Sequence, residues 1–361
     1  MTRALTLVAP RGSGAESRPA ENRPAERDVP PETPLLGLPL IRRTVLAARR
    51  AGFTSVSVAG ATPGIRTALE GDDVKMTEMT ADAPQQALVL PWNVVVSVGD
   101  LEALRAGAPE AGVTVDSRAD LRRAERHLLA SLVKETEGFM SRHFERKISL
   151  AVSRRLAGTS VSPNAMTLVS LAVGLLGAAF FLRPTAASET TGALLFLLHS
   201  ILDGCDGELA RLKFQESRWG GLLDFWSDNV VHAAVFAAMA VGWSRSLGQA
   251  WPLALGASAV AGTFASAYFV YRRTMTRPRE GPLYTSVATE GETTLSRAAD
   301  AVSRRDFIYL VLILSALGKA RWFLVLAAVG APVFFLMLTA IASAERRRHP
   351  GGVGGPHAPP A

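Results

Sequence analysis

The sequence predicts a soluble α/β domain followed by an all-α membrane domain of six transmembrane helices. Before about residue 145, short apolar segments alternate with helix-like ones, a pattern typical of a mostly parallel, doubly wound sheet. From about residue 164 to 344, long apolar segments follow one another, and they hold much of the 48% hydrophobic content. The expected boundaries are 1–116 for the α/β domain, 117–160 for a linker with a basic juxtamembrane helix, 161–345 for the membrane domain and 346–361 for a disordered tail.

The α/β domain is predicted from apolar segments of strand and helix periodicity. A polar, Pro-rich stretch from Pro10 to Pro34 predicts a mobile loop after the first strand. The expected strands are Ala4–Ala9, Thr54–Val58, Ala87–Leu90, Val94–Ser97 and Val113–Val115, and the expected helices are Leu40–Ala51 and Leu101–Ala106.

Six apolar segments approach the ~20 residues that a helix needs to cross a bilayer. They are residues 164–182, 189–209, 219–243, 249–271, 306–320 and 322–344. The arginine clusters between Arg142 and Arg155, at Arg272–Arg273 and at Arg346–Arg348 all fall on one side of the resulting topology. Positive charge marks the cytoplasmic side. We therefore expect a multi-pass protein of the cell's inner (cytoplasmic) membrane, with both termini and the active site cytoplasmic.

Charge and cysteine content restrict partners and compartment. The formal net charge is +7, from 39 Lys and Arg against 32 Asp and Glu. Arginines beside the membrane segments explain this excess, so we expect the lipid bilayer as a partner and no nucleic acid. Cys205 is the only cysteine, which excludes an intrachain disulfide and favours a packing role. The short apolar start at Met1–Pro10 predicts no secretory signal.

The segment from Ser117 to Gly158 is charged and apolar at helical intervals. Its second half interleaves Phe144, Ile148 and Val152 with Arg146, Lys147, Arg154 and Arg155. Such a basic amphipathic helix can lie on an anionic membrane surface. An ordinary packed linker helix is the alternative, and it explains the first half of the segment equally well.

Four carboxylates interrupt the apolar half of the chain. Asp203 and Asp206 are three residues apart, and Asp224 and Asp228 are four apart. On helices, each pair projects from one face, and two facing pairs would make an oxygen-rich cage suited to Mg²⁺ or Mn²⁺. Glycines adjoin these acids at 204, 207 and 220, where a bulky ligand could approach the backbone. The pattern therefore predicts a phosphate-and-metal site.

These residues resemble the signature of the CDP-alcohol phosphatidyltransferase family, D-x2-D-G-x2-A-R-x8-G-x3-D-x3-D. Every fixed position is matched, namely by Asp203, Asp206, Gly207, Ala210, Arg211, Gly220, Asp224 and Asp228. The resemblance implies displacement of CMP from a CDP-linked donor by the hydroxyl of a small alcohol acceptor. It also implies six spans and a homodimer.

The resemblance assigns roles to the matched residues. Asp203, Asp206 and Asp224 would hold the divalent metal, and Asp228 would be either the general base or a further metal ligand. Gly207, Ala210, Arg211 and Gly220 would contact the CDP moiety and its phosphates, with Arg211 supplying a fixed cation. Asn164 and Thr167 match the family's first membrane helix and could belong to the nucleotide site, although a simple helix start explains them nearly as well.

Further polar residues could serve the same site. His199 lies one turn before Asp203 and His232 one turn after Asp228, so they could be hydrogen-bond partners of the cage or acceptor contacts, or ordinary packing histidines. The arginines that could bind a phosphorylated acceptor are Arg154, Arg155, Arg272 and Arg273. Positive-inside topology alone would also place arginines there.

The N-terminal region resembles the sugar-nucleotide (NTP) transferase fold at residues 34–41 and in the helix that follows. It departs from that fold where its chemistry would sit. The loop after the first strand, Pro10–Glu16, is not followed by a clear lysine, and Asn93 stands near the place of the metal-binding aspartate. We therefore interpret the domain as degenerate and non-catalytic, with an active cytidylyltransferase as the alternative.

The two resemblances together are similar to the inositol-phosphate branch, including the bifunctional enzymes that make di-myo-inositol phosphate phosphate. Inositol phosphate is therefore the expected acceptor, and CDP-diacylglycerol or CDP-inositol the expected donor. Two other classes of function compete. A non-catalytic membrane scaffold or nucleotide-binding protein could retain the fold, but it would not require all four aspartates. An ion-coupled transporter would leave the Arg211 and glycine spacing unexplained.

Overall fold

The computed structural model describes residues 4–9, 29–77, 87–133, 144–275 and 307–348. Contacts divide the chain into two compact units that do not follow chain order. Unit 1 comprises Met1–Thr136, Leu150–Val161 and Glu208–Gln215. Unit 2 comprises Glu137–Ser149, Ser162–Gly207 and Glu216–Ala361.

Unit 1 is built on a parallel sheet, as the alternating pattern predicts. The strands are β1 (Ala4–Val8), β2 (Pro34–Leu35), β3 (Leu38–Pro39), β4 (Ser55–Ala59), β5 (Lys75–Thr77), β6 (Ala87–Pro91), β7 (Val94–Val95) and β8 (Val113–Thr114). Four of them form a sheet in the order β5-β4-β1-β6, in which every neighbouring pair is parallel. The pairs β2–β3 and β7–β8 are antiparallel. The predicted parallel sheet is confirmed, whereas the likeness to nucleotidyltransferases stays a prediction.

Helices complete unit 1. Those that lie wholly within it are α1 (Leu40–Arg50), α2 (Pro63–Ala68), α3 (Val98–Arg105) and α4 (Arg118–Ala130). Ser97 and Ser117 cap the starts of α3 and α4 with capping boxes. In each box the serine side chain accepts a hydrogen bond from the backbone amide of the aspartate three residues later, and that aspartate's carboxylate accepts one from the serine backbone amide. Leu5 and Leu7 of β1 pack with Ile41 and Val45 of α1, all fully buried, because burying their apolar surface stabilises the unit.

The charged segment after residue 117 contains two described helices rather than one. α4 buries Ala124 and Leu128 in an apolar cluster of unit 1, as an ordinary packed helix does. α5 (Arg146–Leu156) follows, and it leaves Lys147 and Ile148 exposed. Residues 134–143 between them, which include Arg142, lie outside the described residues.

Unit 2 is helical. Its helices are α6 (Pro163–Phe180), the part of α7 (Ala186–Lys213) up to Gly207, α8 (Arg218–Leu247), α9 (Trp251–Val270), α10 (Phe307–Ala316) and α11 (Ala320–Arg348). Ser162 caps α6 through the Ala165 amide, and Pro163 is the first helical residue. α6 and α7 approach closely where Gly177 meets Gly192, since a Cβ at Gly192 would lie 2.8 Å from the Gly177 carbonyl oxygen.

Four described helices are long and apolar enough to cross a membrane. They are Pro163–Phe180, Arg218–Leu247, Trp251–Met275 and Ala320–Ala344. Two of the six predicted spans are absent from this set. The prediction for 189–209 falls in α7, whose last turns carry Asp203, Asp206 and Glu208, and the prediction for 306–320 falls in α10, an apolar helix of only 10 residues. Six spans are therefore not confirmed by helix length and composition.

Some predictions concern residues outside the described ranges. They are most of the Pro-rich loop, residues 10–28, including Pro10–Glu16, and the tail after residue 348.

Candidate metal centre

Two helices of unit 2 bring the predicted carboxylates together. α7 carries Asp203 and Asp206, and α8 carries Asp224 and Asp228, so each pair projects from one helical face as the spacing requires. One carboxylate oxygen from each of Asp203, Asp206 and Asp224 lies within 4.8 Å of the others. Asp203 and Asp206 are buried, with 4% and 5% of their surface exposed, and Asp224 is half-buried. We call this set the three-acid group.

A threonine of α6 supports the three-acid group. Thr167, which is buried, donates a short hydrogen bond from its hydroxyl to Asp206 Oδ2. A hydroxyl that donates to one carboxylate oxygen fixes the rotamer of that carboxylate and leaves its other oxygen for a cation. Thr167, predicted as a nucleotide contact, therefore touches one of the acids predicted to bind the metal.

Asn164 meets the start of α8. Its side-chain oxygen lies 3.0 Å from the position that a Cβ at Gly220 would occupy, and Ser217 Oγ lies equally close. Ser217 Oγ also accepts the Gly220 amide and caps α8. The glycine of the motif thus permits a close approach between α6 and the first turn of α8. Gly204 has a comparable packing role, because a Cβ there would lie 3.3 Å from Arg146 Nη1 of α5.

Asp228 lies between two histidines rather than in the three-acid group. Its Oδ1 is 3.7 Å from His199 Nε2, and its Oδ2 is 3.7 Å from His232 Nδ1. His232 Nδ1 is 2.7 Å from the Asp228 backbone oxygen. Since a carbonyl oxygen only accepts, that ring nitrogen carries the proton and donates to the backbone. Both histidines that the sequence indicated therefore adjoin the cage.

The His199 ring is held from three sides. Nδ1 is 2.9 Å from the Ser170 carbonyl oxygen, the ring stacks on Phe196 with centroids 6.2 Å apart, and only 1% of the residue is exposed. Gly174 of α6 makes room for it, because a Cβ there would lie 3.0 Å from His199 Cγ. A second group of possible ligand atoms consists of His199, Asp203 and Asp228, again within 4.8 Å of one another.

The remaining predicted residues lie around these groups or in unit 1. Gly207 follows Asp206 on α7 and is half-buried, whereas Ala210 and Arg211 belong to the last turns of α7, which form part of unit 1. Arg154, also in unit 1, makes a two-point ion pair with Glu125 of α4, at 2.8 and 2.9 Å, and Arg155 donates to the Ala151 carbonyl. Arg272 and Arg273 are exposed in a π-helical turn, Tyr271–Met275, after α9.

Sequence reasoning missed one polar contributor to the site and two buried glutamates elsewhere in the chain. Ser170 supplies the carbonyl that orients His199, and Glu208, fully buried, accepts a hydrogen bond of 2.6 Å from Ser153. Glu145, also buried, accepts from the Tyr309 hydroxyl at 3.0 Å. No sequence pattern marks a backbone carbonyl or a buried glutamate as a partner. Cys205 is buried, as its expected packing role requires.

The donor set fits a divalent cation. Buried carboxylates that cluster within 4.8 Å would repel one another as bare anions, and a cation of oxygen-ligand preference would offset their charge. The Thr167 hydroxyl adds a hydrogen bond to Asp206 without adding a charge of its own.

We expect Thr167→Val to lower the divalent-cation affinity of the three-acid group by about 10-fold, because the substitution removes the Asp206 contact and keeps the side-chain shape. Titration with Mn²⁺, followed by the paramagnetic signal of the free ion, would measure the change. Thr263→Val is the matched control, since that hydroxyl donates to the Ala259 carbonyl within α9. Equal affinities for the two variants would contradict the role of Thr167.

Comparison with known proteins gives matches to the second half of the chain. Residues 160–291 match a family model described as CDP-alcohol phosphatidyltransferase. A bifunctional IPC transferase and DIPP synthase of Archaeoglobus fulgidus is 38% identical over 160 residues, which are 44% of this chain and 31% of the relative. The protein of the same name from Rubrobacter xylanophilus is 36% identical over 184 residues, which are 49% of this chain and 41% of the relative.

Solved structures give a weaker likeness. The Mycobacterium tuberculosis phosphatidylinositol phosphate synthase with CDP-DAG bound has a TM-score of 0.37 and 18% sequence identity, over 53% of this chain and 92% of that one. The chain spans less than half the length of each of the two curated relatives.

Proposed function

Since residues 160–291 form a CDP-alcohol phosphatidyltransferase domain, we propose that the protein is an integral membrane transferase that displaces CMP from a CDP-linked donor with an acceptor alcohol. The observation that carries this proposal is the convergence of the motif aspartates, with oxygens of Asp203, Asp206 and Asp224 within 4.8 Å of one another. A match of sequence alone would leave open whether the motif assembles a site.

The transfer forms one bond and breaks one. The acceptor hydroxyl oxygen bonds to the phosphorus that carries the donor alcohol, and the bond from that phosphorus to the bridging oxygen breaks. The electron pair leaves with CMP, and the hydroxyl proton must pass to a base. Mg²⁺ or Mn²⁺ held by the three-acid group would supply charge stabilisation for the diphosphate and for the departing CMP.

Asp228 is the residue that we propose as the base. It stands apart from the three-acid group, and its Oδ2 faces His232 Nδ1, whose proton is already donated to the Asp228 backbone carbonyl. A carboxylate can take up the proton of the acceptor hydroxyl, which is the role that we propose for Asp228. The remaining motif residues, Gly207, Ala210, Arg211 and Gly220, are proposed to contact the nucleotide and its phosphates, together with Asn164.

Inositol phosphate is the acceptor that we propose, because the curated relatives are named bifunctional IPC transferase and DIPP synthase. Its phosphate would need cationic contacts, for which Arg272 and Arg273 are exposed beside α9. Arg154 is less suited than the sequence suggested, since its guanidinium already binds Glu125 at two points. The proposal includes both CDP-diacylglycerol and CDP-inositol as donors.

The membrane arrangement is part of the proposal. We infer that α7 crosses the bilayer with its acidic end at the cytoplasmic headgroups, because its 28 residues extend over about 42 Å. α10 would complete six spans together with its flanking residues, both termini would be cytoplasmic, and two copies would form a homodimer. Exposed Ile148 beside Lys147 supports a surface-lying α5.

We propose further that the N-terminal domain is a degenerate relative of nucleotidyltransferases, within the boundaries given by the sequence. Asn93, which stands near the expected metal-binding aspartate, donates its amide to Asp116 Oδ1 at 2.7 Å. A neutral amide does not supply the negative charge with which an aspartate would balance a cation.

The test is CMP release by the full chain in detergent with Mg²⁺ or Mn²⁺. CDP-diacylglycerol and CDP-inositol are offered separately, each with inositol phosphate, inositol, glycerol 3-phosphate or serine. Release with one donor and acceptor pair would support the transferase and identify its branch. Absence of release from every pair, with Mn²⁺ still bound, would favour the non-catalytic scaffold.

Asp228→Asn is expected to lower the rate of CMP release by about 10³-fold, because general-base catalysis contributes on that scale. Mn²⁺ binding by the three-acid group should persist, since Asp228 lies outside it. Asp73→Asn, at an exposed carboxylate of unit 1, is the control. If Asp228→Asn kept the wild-type rate, Asp228 would not be the base.

A further inference from the structure

The structure contains a second group of possible ligand atoms that the aspartate motif does not define. His199 Nε2, one oxygen of Asp203 and one oxygen of Asp228 all lie within 4.8 Å of one another. His199 is 99% buried, and Nε2 makes no hydrogen bond to any described residue, its contact with Asp228 Oδ1 being 3.7 Å long. A hydrogen bond from nitrogen to oxygen has a length of about 2.7–3.2 Å, so this nitrogen and the two acids leave a gap.

The other ring nitrogen fixes the chemistry of Nε2. Nδ1 lies 2.9 Å from the Ser170 carbonyl oxygen, which can only accept, so Nδ1 carries a proton. In the neutral ring the lone pair is then on Nε2, and it points toward Asp203 and Asp228. Histidines that bind metals commonly donate the opposite N–H to a carbonyl or carboxylate in this way.

Packing makes the orientation rigid. The ring stacks on Phe196, and Gly174 leaves room for it against α6. His232 provides the internal comparison. Its Nδ1 donates to the Asp228 backbone oxygen at 2.7 Å, its ring meets Phe196 edge-on, and it belongs to neither group of possible ligands among the described residues.

We propose that His199 Nε2 is a ligand of a divalent cation that it binds together with Asp203 and Asp228, separately from the three-acid group. The inference deepens the proposed function and rests on it for the presence of the cation. Imidazole nitrogen binds divalent transition metals, with an affinity that rises from Mn²⁺ to the later metals of the first row, whereas Mg²⁺ prefers oxygen ligands alone. The position therefore selects Mn²⁺ over Mg²⁺.

This assignment is compatible with Asp228 acting as the general base. The carboxylate has two oxygens, of which Oδ1 faces His199 and Oδ2 faces His232. Each carboxylate oxygen has lone pairs of its own, so one can bind the cation while the other takes up the acceptor's proton.

The experiment measures metal ligation without any donor or acceptor. Full-length protein in detergent is loaded with Mn²⁺, and pulsed electron paramagnetic resonance detects whether a ¹⁴N nucleus is bonded to the ion. Mn²⁺ affinity is then determined with and without competing Mg²⁺. The variants are His199→Gln and the matched control His232→Gln. If the His199→Gln protein is not monodisperse, His199→Phe replaces it, because phenylalanine keeps an aromatic ring beside Phe196.

We expect nitrogen coupling in the wild type and in His232→Gln, and its loss in both His199 variants. Mn²⁺ affinity at this position should fall by about 10- to 100-fold in His199→Gln, while Mg²⁺ affinity changes little. Bound Mn²⁺ without nitrogen coupling in the wild type, or coupling that persists without His199, would overturn the inference and leave the transferase intact. A wild-type chain that binds no Mn²⁺ would overturn the inference and also remove the cation from the proposed function.

Discussion

Asp203→Asn is expected to lower the rate of CMP release by about 10³-fold or more, the scale reached when a charge-stabilising group is removed from an active site. The reason is its position, because Asp203 is the residue shared by the three-acid group and by the group that contains His199. Asparagine keeps the shape of the side chain but removes one negative charge and replaces one ligand oxygen with a donor amide. The measurement is the initial rate at saturating donor and acceptor, together with the amount of Mn²⁺ bound.

Asp224→Asn is the matched variant, since Asp224 belongs only to the three-acid group and is less buried. We expect it to reduce the rate less than Asp203→Asn does, and to retain the Mn²⁺ that shows nitrogen coupling. Two variants with the same rate and the same loss of Mn²⁺ would show that Asp203 has no dual role. Asp73→Asn should behave as the wild type.

The pairing of the acids within each helix could be predicted because helical geometry determines it. Spacings of three and four residues place Asp203 with Asp206, and Asp224 with Asp228, on one face of any helix that contains them. Both segments are helices because their neighbours are apolar and Ser217 caps the second one. The separation of Asp228 from the other three could not be predicted, since it depends on the relative rotation of α7 and α8.

The orientation of His199 also lay beyond the sequence. Its spacing from Asp203 indicated the correct helix face, but the proton on Nδ1 is determined by the Ser170 carbonyl of another helix. A backbone carbonyl has no sequence signature. The division of α7 between the two units was equally hidden, because hydropathy describes residues 189–209 as one apolar segment and takes no account of the partners of its end.

In unit 1, periodicity predicted α1 but gave no indication that one of its arginines is buried. Leu40, Ile41, Val45 and Ala48 recur at helical intervals and are buried. Arg43 lies on the same helix, and a charged residue would ordinarily be assigned to solvent. It is nevertheless only 2% exposed. Burial lowers the pKa of its guanidinium from the ordinary value to about 10, so it stays charged at neutral pH.

Arg43 is stabilised by carbonyl oxygens rather than by a carboxylate. It donates to Leu35 at 3.0 and 3.3 Å, to Leu36 at 3.0 Å and to Leu212 at 3.0 Å. Leu212 lies in the last turn of α7, where the helix leaves carbonyls without intrahelical partners and carries partial negative charge. The next residue but one, Phe214, has a positive φ of 54°, and its ring centroid is 5.8 Å from the guanidinium carbon.

Arg43→Ala is therefore expected to destabilise this part of unit 1 by about 3 kcal/mol or more, because three buried carbonyls would lose their charged donor. Backbone amides near residues 35–45 and 208–215 should exchange with deuterium about 100-fold faster, a ratio that corresponds to that energy. Mass spectrometry of the full chain in detergent would measure the exchange. Arg42→Ala is the control, since Arg42 is 38% exposed and pairs with Asp72 at 2.9 Å. Unchanged exchange in Arg43→Ala would mean that water replaces the guanidinium at those carbonyls, and that the end of α7 is held by apolar packing alone.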